Sequence, residues 1–290
     1  MEKVNRTYKD RLFRMIFGKA EMKENILDLY NSLNNSSYTN ADDIDICTLE
    51  DSVYMSMKND VAFVFDSYLS AWEQQSTYNP NMPIRGLMYF GKMYNRYIES
   101  NNLNIYSTKL EKLPTPRYVV FYNGLNEKPA IEKLKLSDSF INPCYDGEFE
   151  WTATLYNLNK GKNEDLLRKC KPLSDYMEFI NRVRDFTKEF DLTTAISLAV
   201  DSCIKDGILA DFLKNNKAEV TDMVLTEYNE ERVLQGMYED GLDVGLARGR
   251  SEGIDKIKKA IFNLMQNTGK TFDEACEMLG IPEGDRDELR

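Results

Sequence analysis

The sequence predicts an α/β fold, a central sheet covered by helices and followed by a largely helical C-terminal region, and three observations carry that prediction. Helix-spaced and strand-like apolar segments follow one another from Asp10 to Tyr122 in the order helix, strands, helix, strand, the pattern of a sheet with helices on its faces. Two β-prone apolar runs, Val61 to Phe65 and Tyr68 to Trp72, are broken only at Asp66-Ser67, which reads as a hairpin. From about Asn163 the apolar spacing becomes that of helices alone.

The elements follow in order. Leu12, Phe13, Ile16 and Phe17 share a helix face within Asp10–Phe17, and Gly18 offers a stop. A second helix runs from Lys23 to Leu33, Asn34-Asn35-Ser36-Ser37 is a turn, and Ile44 to Leu49 alternates like a strand. The hairpin ends at Tyr78-Asn79-Pro80-Asn81-Met82-Pro83. A long helix, Ile84 to Ile98, has Leu87, Tyr94 and Ile98 among its apolar positions and Arg85 near its first turn. Pro114 and Pro116 stand before Tyr118 to Tyr122, a short apolar strand that stops at Asn123-Gly124. Beyond Asn163, residues Asp175 to Phe186, Thr193 to Asp206 and Ala210 to Val233 have 3.6-residue spacing.

Gly241, Gly245, Gly249 and Gly253 recur every four residues within Tyr238 to Leu264. Each glycine costs a helix about 1 kcal/mol relative to Ala. Their regular spacing points either to close packing on another helix, in a homo-oligomer, or to a poorly helical linker. Thr271-Phe272-Asp273-Glu274 is a capping box for a short helix to Leu279. Its outline is that of half a helix-turn-helix, but Asp273, Glu274 and Glu277 would repel phosphate.

Composition narrows the function. Hydrophobic residues at 42% and aromatics at 11% of 290 residues belong to a globular chain. No apolar run reaches the roughly 18 residues of a membrane span, and Met1-Glu2-Lys3-Val4-Asn5-Arg6 leads into an amphipathic helix, not a signal peptide. A cytoplasmic protein without membrane partners is expected. The cysteines, Cys47, Cys144, Cys170, Cys203 and Cys276, form no C-x-x-C pair and read as ordinary thiols. There is no histidine, which excludes Ser-His-Asp and Cys-His catalysis and most zinc sites. Hydrolysis here must rest on carboxylates, lysines or a metal.

The net charge of −11 opposes nucleic-acid binding as a sum, but its distribution does not. Residues 1–25 hold seven basic and four acidic side chains, and residues 81–135 hold nine and four. The stretch 36–76 between them has eight acids and only Lys58, and from Glu219 onward seventeen acids meet nine bases. A basic rim around an acidic pocket suits a polyphosphate substrate; patchy charge on a solvated surface looks similar.

A hairpin turning at Asp66-Ser67 pairs positions whose numbers sum to 133, so Asp60 falls opposite Glu73, with Cβ atoms about 5 Å apart. Gln75 projects from the same face as Glu73. Two carboxylates so close repel unless a cation separates them, and Mg²⁺, which takes one or two carboxylates plus waters and substrate phosphate, would do so. The alternative is that both acids lie on a solvated strand face and never meet.

Glu73-Gln74-Gln75-Ser76, Asn81-Met82-Pro83-Ile84-Arg85, Pro116 to Gly124, and the opening Asp10-Arg11-Leu12-Phe13-Arg14 together resemble the Rpn family of recombination-promoting nucleases, also labelled transposases, within the PD-(D/E)xK nuclease superfamily. The resemblance covers roughly residues 5–190, and a glycine-repeating helical tail is also typical of the family. It implies a DNA endonuclease, linked to recombination or mobile DNA, on a PD-(D/E)xK-like mixed sheet flanked by helices. Its cofactor would be Mg²⁺, or Mn²⁺ in its place. Carried over, Asp60, Glu73 and Gln75 would be catalytic, and Asp60, Glu73 and the backbone carbonyl of Gln74 would hold the metal. Gln75 stands where lysine is usual, and Asn59 where proline is usual before the aspartate. A carboxamide orients water or phosphate but carries no charge. Asp10 would match an acid of the first helix or be a solvated helix residue. Arg85 would contact phosphate or pair with a structural carboxylate.

The implied organisation is a nuclease-like core over residues 1–160, a helical extension over 161–235, and a glycine-spaced helix with a short capped helix over 236–290. The competing expectation is a catalytically weakened nuclease fold that acts as a protein-interaction or oligomerising module.

Overall fold

The Asp66-Ser67 break becomes a two-residue turn with both residues in the left-handed region, φ 48° and 61°, the twist a tight hairpin requires. The Tyr38 hydroxyl donates to Asp66 Oδ2 at 2.6 Å and holds the turn. β2 (Val61–Phe65) and β3 (Tyr68–Gln75) pair as Val61↔Trp72 through Phe65↔Tyr68. This is the register summing to 133 that the sequence predicts.

A computed structural model of the chain describes residues 8–48, 60–142 and 149–289. Met1 to Arg6, Leu49 at the end of the first alternating run, Lys58, Asn59 and Cys144 lie outside the described residues. Two compact units divide the chain, residues 1–228 and 229–290.

In the first unit, α1 (Tyr8–Phe17) and α2 (Lys23–Asn34) precede β1, which is only Asp45–Ile46. After the hairpin come α3 (Met82–Ser100), β4 (Thr115–Tyr122), β5 (Ile131–Lys135) and β6 (Thr152–Asn157). The described strands form one mixed sheet in the order β1-β2-β3-β4-β6-β5, with β3, β4 and β6 parallel and the remaining pairs antiparallel. α4 (Glu164–Lys169), α5 (Lys171–Phe186) and α6 (Leu192–Lys205) follow. α7 (Ala210–Thr268) then bends at Asn216 and continues into the second unit.

Strand β4 extends three residues before Tyr118 and includes Pro116. Proline lacks a donor and is tolerated where no neighbour needs one. The amide of Thr115 bonds Ser67 at the start of β3, so the nitrogen of Pro116 faces the other side, where β6 pairs only from Val119 onward.

The two faces of the sheet have separate cores. Phe63, Trp72 and Phe121 pack with Leu12, Phe13 and Phe17 of α1, Leu29 of α2 and Phe179 of α5. Ala71, Tyr118, Val120 and Leu155 pack with Tyr89, Phe90 and Met93 of α3 on the opposite face. The central strands are therefore apolar on both sides, so any carboxylate on them is surrounded by low-polarity material.

The second unit is smaller. Ile261 of α7 packs with Ala275 and Cys276 of α8 (Phe272–Met278) and with Leu289. Thr271 and Glu274 form the expected capping box. The helix runs unbroken through Gly241, Gly245, Gly249 and Gly253, so this segment is not a poorly helical linker. A Cβ added at any of the four meets no described atom within 4 Å. Cys170, Cys203 and Cys276 are free and buried, and no described helix is long and apolar enough to cross a membrane.

Candidate active site

Glu73 lies one residue beyond the last position at which β3 pairs with β2, on the face covered by α3, and only 1% of its side chain is exposed. The hairpin brings Asp60 to the same end. The Asp60 Oδ2 accepts the Gln74 backbone N–H at 2.8 Å. A residue's N–H and C=O point to the same side of a strand, so the Gln74 carbonyl also faces the Asp60 edge. The neighbouring Gln75 carbonyl faces the other way, accepting from Asn123.

Burial pushes the Asp60 carboxyl up to about 7, with the Glu73 charge adding to the rise, while the Gln74 N–H, Arg14 and Arg85 oppose it. Glu73 is likewise raised to about 7, first by burial and also by Asp10, against the pull of Arg85 and of the Tyr118 and Tyr89 hydroxyls. Glu73 thus disfavours the charged form of Asp60, and Asp10 that of Glu73, as neighbouring carboxylates do.

Arg85 comes from the first turn of α3 and sets its Nη2 2.9 Å from Glu73 Oε2. Of the two roles open to Arg85 in the sequence, the structure displays the carboxylate pairing. Its Nε and Nη2 also donate to the Tyr89 hydroxyl at 3.0 and 2.7 Å. Gln75 Nε2 donates to the same Glu73 oxygen at 3.3 Å. Tyr89 and Tyr118 line the carboxylate, and both phenols are raised by burial and then by the Glu73 charge. Neither was singled out in the sequence. Tyr89 lies one helical turn beyond Arg85, a spacing that would have pointed to it; Tyr118 is distinguished by nothing but its place on an apolar strand.

Gly86 is what lets α3 approach. A Cβ there would stand 2.6 Å from the Tyr118 ring and 2.8 Å from Trp151 Nε1. Gly86→Ala is expected to push the helix off the sheet and destabilise the chain by about 2 kcal/mol, within the range for overpacking. A melting temperature equal to that of the unsubstituted chain would show that α3 does not sit this tightly.

The opposite face anchors the same strand end. Gln74 Nε2 donates to Asn123 Oδ1 at 2.8 Å, Asn123 Nδ2 donates to the Tyr176 hydroxyl at 3.3 Å, and that hydroxyl donates to the Lys9 carbonyl at 3.2 Å. This polar chain ties β3 to β4, α5 and α1.

The donors present fit a hard divalent ion. Glu73 Oε1 is buried without a hydrogen bond of ordinary geometry, and among the described residues Asp60 accepts through Oδ2 from Gln74. With the Gln74 carbonyl, they form an all-oxygen set suited to Mg²⁺ or Mn²⁺. Asp10 contributes its charge at Glu73; among the described residues no group of three or more Asp, Glu, Cys or His side chains that could hold a metal is found. A surface cavity of about 440 Å³ lies elsewhere, against α2 and α4, lined by Asn35, Tyr156 and Lys169 among others. It contains none of these acids.

Compared with protein-family models, curated proteins and solved structures, the chain matches none.

Proposed function

We propose that the chain is a metal-dependent DNA endonuclease on a PD-(D/E)xK-like sheet, with Asp60, Glu73 and the Gln74 carbonyl holding Mg²⁺ or Mn²⁺. The observation that carries this reading is the hairpin register: it brings Asp60 to the buried strand end that bears Glu73, leaving two carboxylates whose repulsion a cation would relieve. The four segments that resemble the Rpn family also support it. β3 pairs with β4, Arg85 reaches Glu73, and the charge of Asp10 on α1 is felt there.

When bound, the ion would polarise a phosphoryl oxygen and lower the pKa of a water. The chain's own groups do the rest. Asp60 is aimed by the Gln74 amide, Gln75 presents a neutral carboxamide beside Glu73, and Arg85 supplies the positive charge that Gln75 lacks. The α3 face and Tyr118 keep the carboxylate away from bulk water.

One observation favours a second reading, a weakened nuclease fold used for binding or self-association: the Glu73 charge already has Arg85 as its partner. Plasmid nicking decides between them. The purified chain is expected to nick supercoiled DNA with Mg²⁺ or Mn²⁺ and not in chelator, and Asp60→Ala is expected to reduce the rate on the order of 100-fold or more, as loss of a charge-stabilising group does. Absence of cleavage with every metal, with activity gained only in Gln75→Lys, would select the second reading.

A further inference from the structure

The Arg85 contact is unusual in what it leaves open. A guanidinium has five N–H donors. Nε and Nη2 are engaged by the Tyr89 hydroxyl and Glu73 Oε2, whereas Nη1 meets only Met82 Sδ at 3.6 Å, a weak acceptor. The Arg85 side chain is 24% exposed against 1% for Glu73, so it forms the outer wall of the carboxylate's surroundings.

We propose that Arg85 is a built-in competitor of the divalent cation at Glu73, holding Oε2 in the unliganded chain and giving it up when a phosphate oxygen takes the guanidinium. This rests on the reading of Asp60 and Glu73 as a cation site. Two positive charges on one buried carboxylate oppose each other, so cation affinity in the free chain is held down by Arg85. The guanidinium fork matches phosphate geometry, and the Nη1 edge is where an anionic oxygen finds unused donors. Tyr89, on the same helix, fixes the pivot through its hydroxyl. Binding of the anion and binding of the cation then favour each other, as linkage requires.

The test is Mn²⁺ affinity of the full chain, read from the electron spin resonance of free Mn²⁺, for the unsubstituted protein, Arg85→Gln and Arg85→Lys, with thermal melts and plasmid nicking alongside. Arg85→Gln is expected to bind Mn²⁺ about 10-fold more tightly, within the usual span of coupling between sites, while nicking falls. Arg85→Lys, which keeps a charge without the fork, is expected to lie between and decides the matter if the glutamine variant fails to fold. Equal or weaker Mn²⁺ binding in the folded variants overturns the proposal and leaves the nuclease reading to the nicking result. Tighter binding with no nicking by any form keeps the competitor and removes the nuclease. Absence of Mn²⁺ binding in every form removes both.

Discussion

In chelator, the melting temperature of the chain is expected to fall as pH rises from about 4 to about 7, by about 10 °C. Asp60 and Glu73 have ordinary values of 3.8 and 4.5 and are raised to about 7 in the folded chain. Between those limits the folded state binds more protons than the unfolded state, so stability decreases with pH. It is fully present below the unfolded values and lost as pH passes the folded ones. This is the reverse of an ordinary paired carboxylate. A tenfold change in proton affinity is worth about 1.4 kcal/mol, and because part of the Asp60 rise comes from the Glu73 charge and is not independent of it, the pair together is worth less than the two rises summed, on the order of 4 kcal/mol. For a unit of this size about 1 kcal/mol moves the melting temperature by about 2–4 °C. Asp191 and Glu274 are lowered by their helix caps and act in the opposite sense, but they are exposed and contribute little.

Asp60→Asn serves as the internal control. Asparagine still accepts the Gln74 N–H and carries no charge, so the variant is expected to be more stable above pH 7 and flatter with pH. Saturating Mg²⁺ is expected to restore the unsubstituted chain above pH 7, by about 2.7 kcal/mol at a hundredfold excess over Kd, and to do nothing for the variant. Identical pH curves for the two proteins would mean that the carboxylates do not interact in a buried site.

Trp72→Ala is expected to lower the melting temperature by about 10 °C, through a loss of about 3–5 kcal/mol. Trp72 is 1% exposed. Its ring stands edge-on to Phe63 at 4.7 Å and to Phe121 at 6.3 Å, and alanine would leave a void between the sheet and its helices. Because Glu73 is the next residue, the same substitution is expected to weaken cation-induced stabilisation at pH 8, while Trp72→Phe keeps most of both. Calorimetry with and without Mg²⁺ checks the two effects together; an unchanged melt would contradict the core as described.

The sequence by itself determined the hairpin, because two apolar runs separated by a two-residue break leave only that break for the turn. The register that brings Asp60 to the Glu73 strand end was one of two readings the sequence left open: both strands are buried on both faces, so no alternation of apolar and polar residues fixed it, and the paired strands decided it. The sequence also determined α1, α2 and α3 and the capped α8, where apolar spacing and caps act over a few residues. The strands β5 and β6 were not legible. Ile131-Glu132-Lys133-Leu134-Lys135 is an edge strand whose buried side chain is Leu134 alone, and Thr152 to Asn157 is a short run whose alternate residues Ala153, Leu155 and Asn157 are buried once β4 lies alongside. The opening strand likewise covers only Asp45–Ile46 among the described residues, although the Cys47 N–H still donates to the Ala62 carbonyl of β2 at 2.9 Å. Tertiary structure alone decided that Arg85 points at Glu73 and that Tyr89 and Tyr118 line it. Those groups are brought together by the packing of α3 across the sheet at Gly86, a contact between residues distant in the chain that no local periodicity encodes.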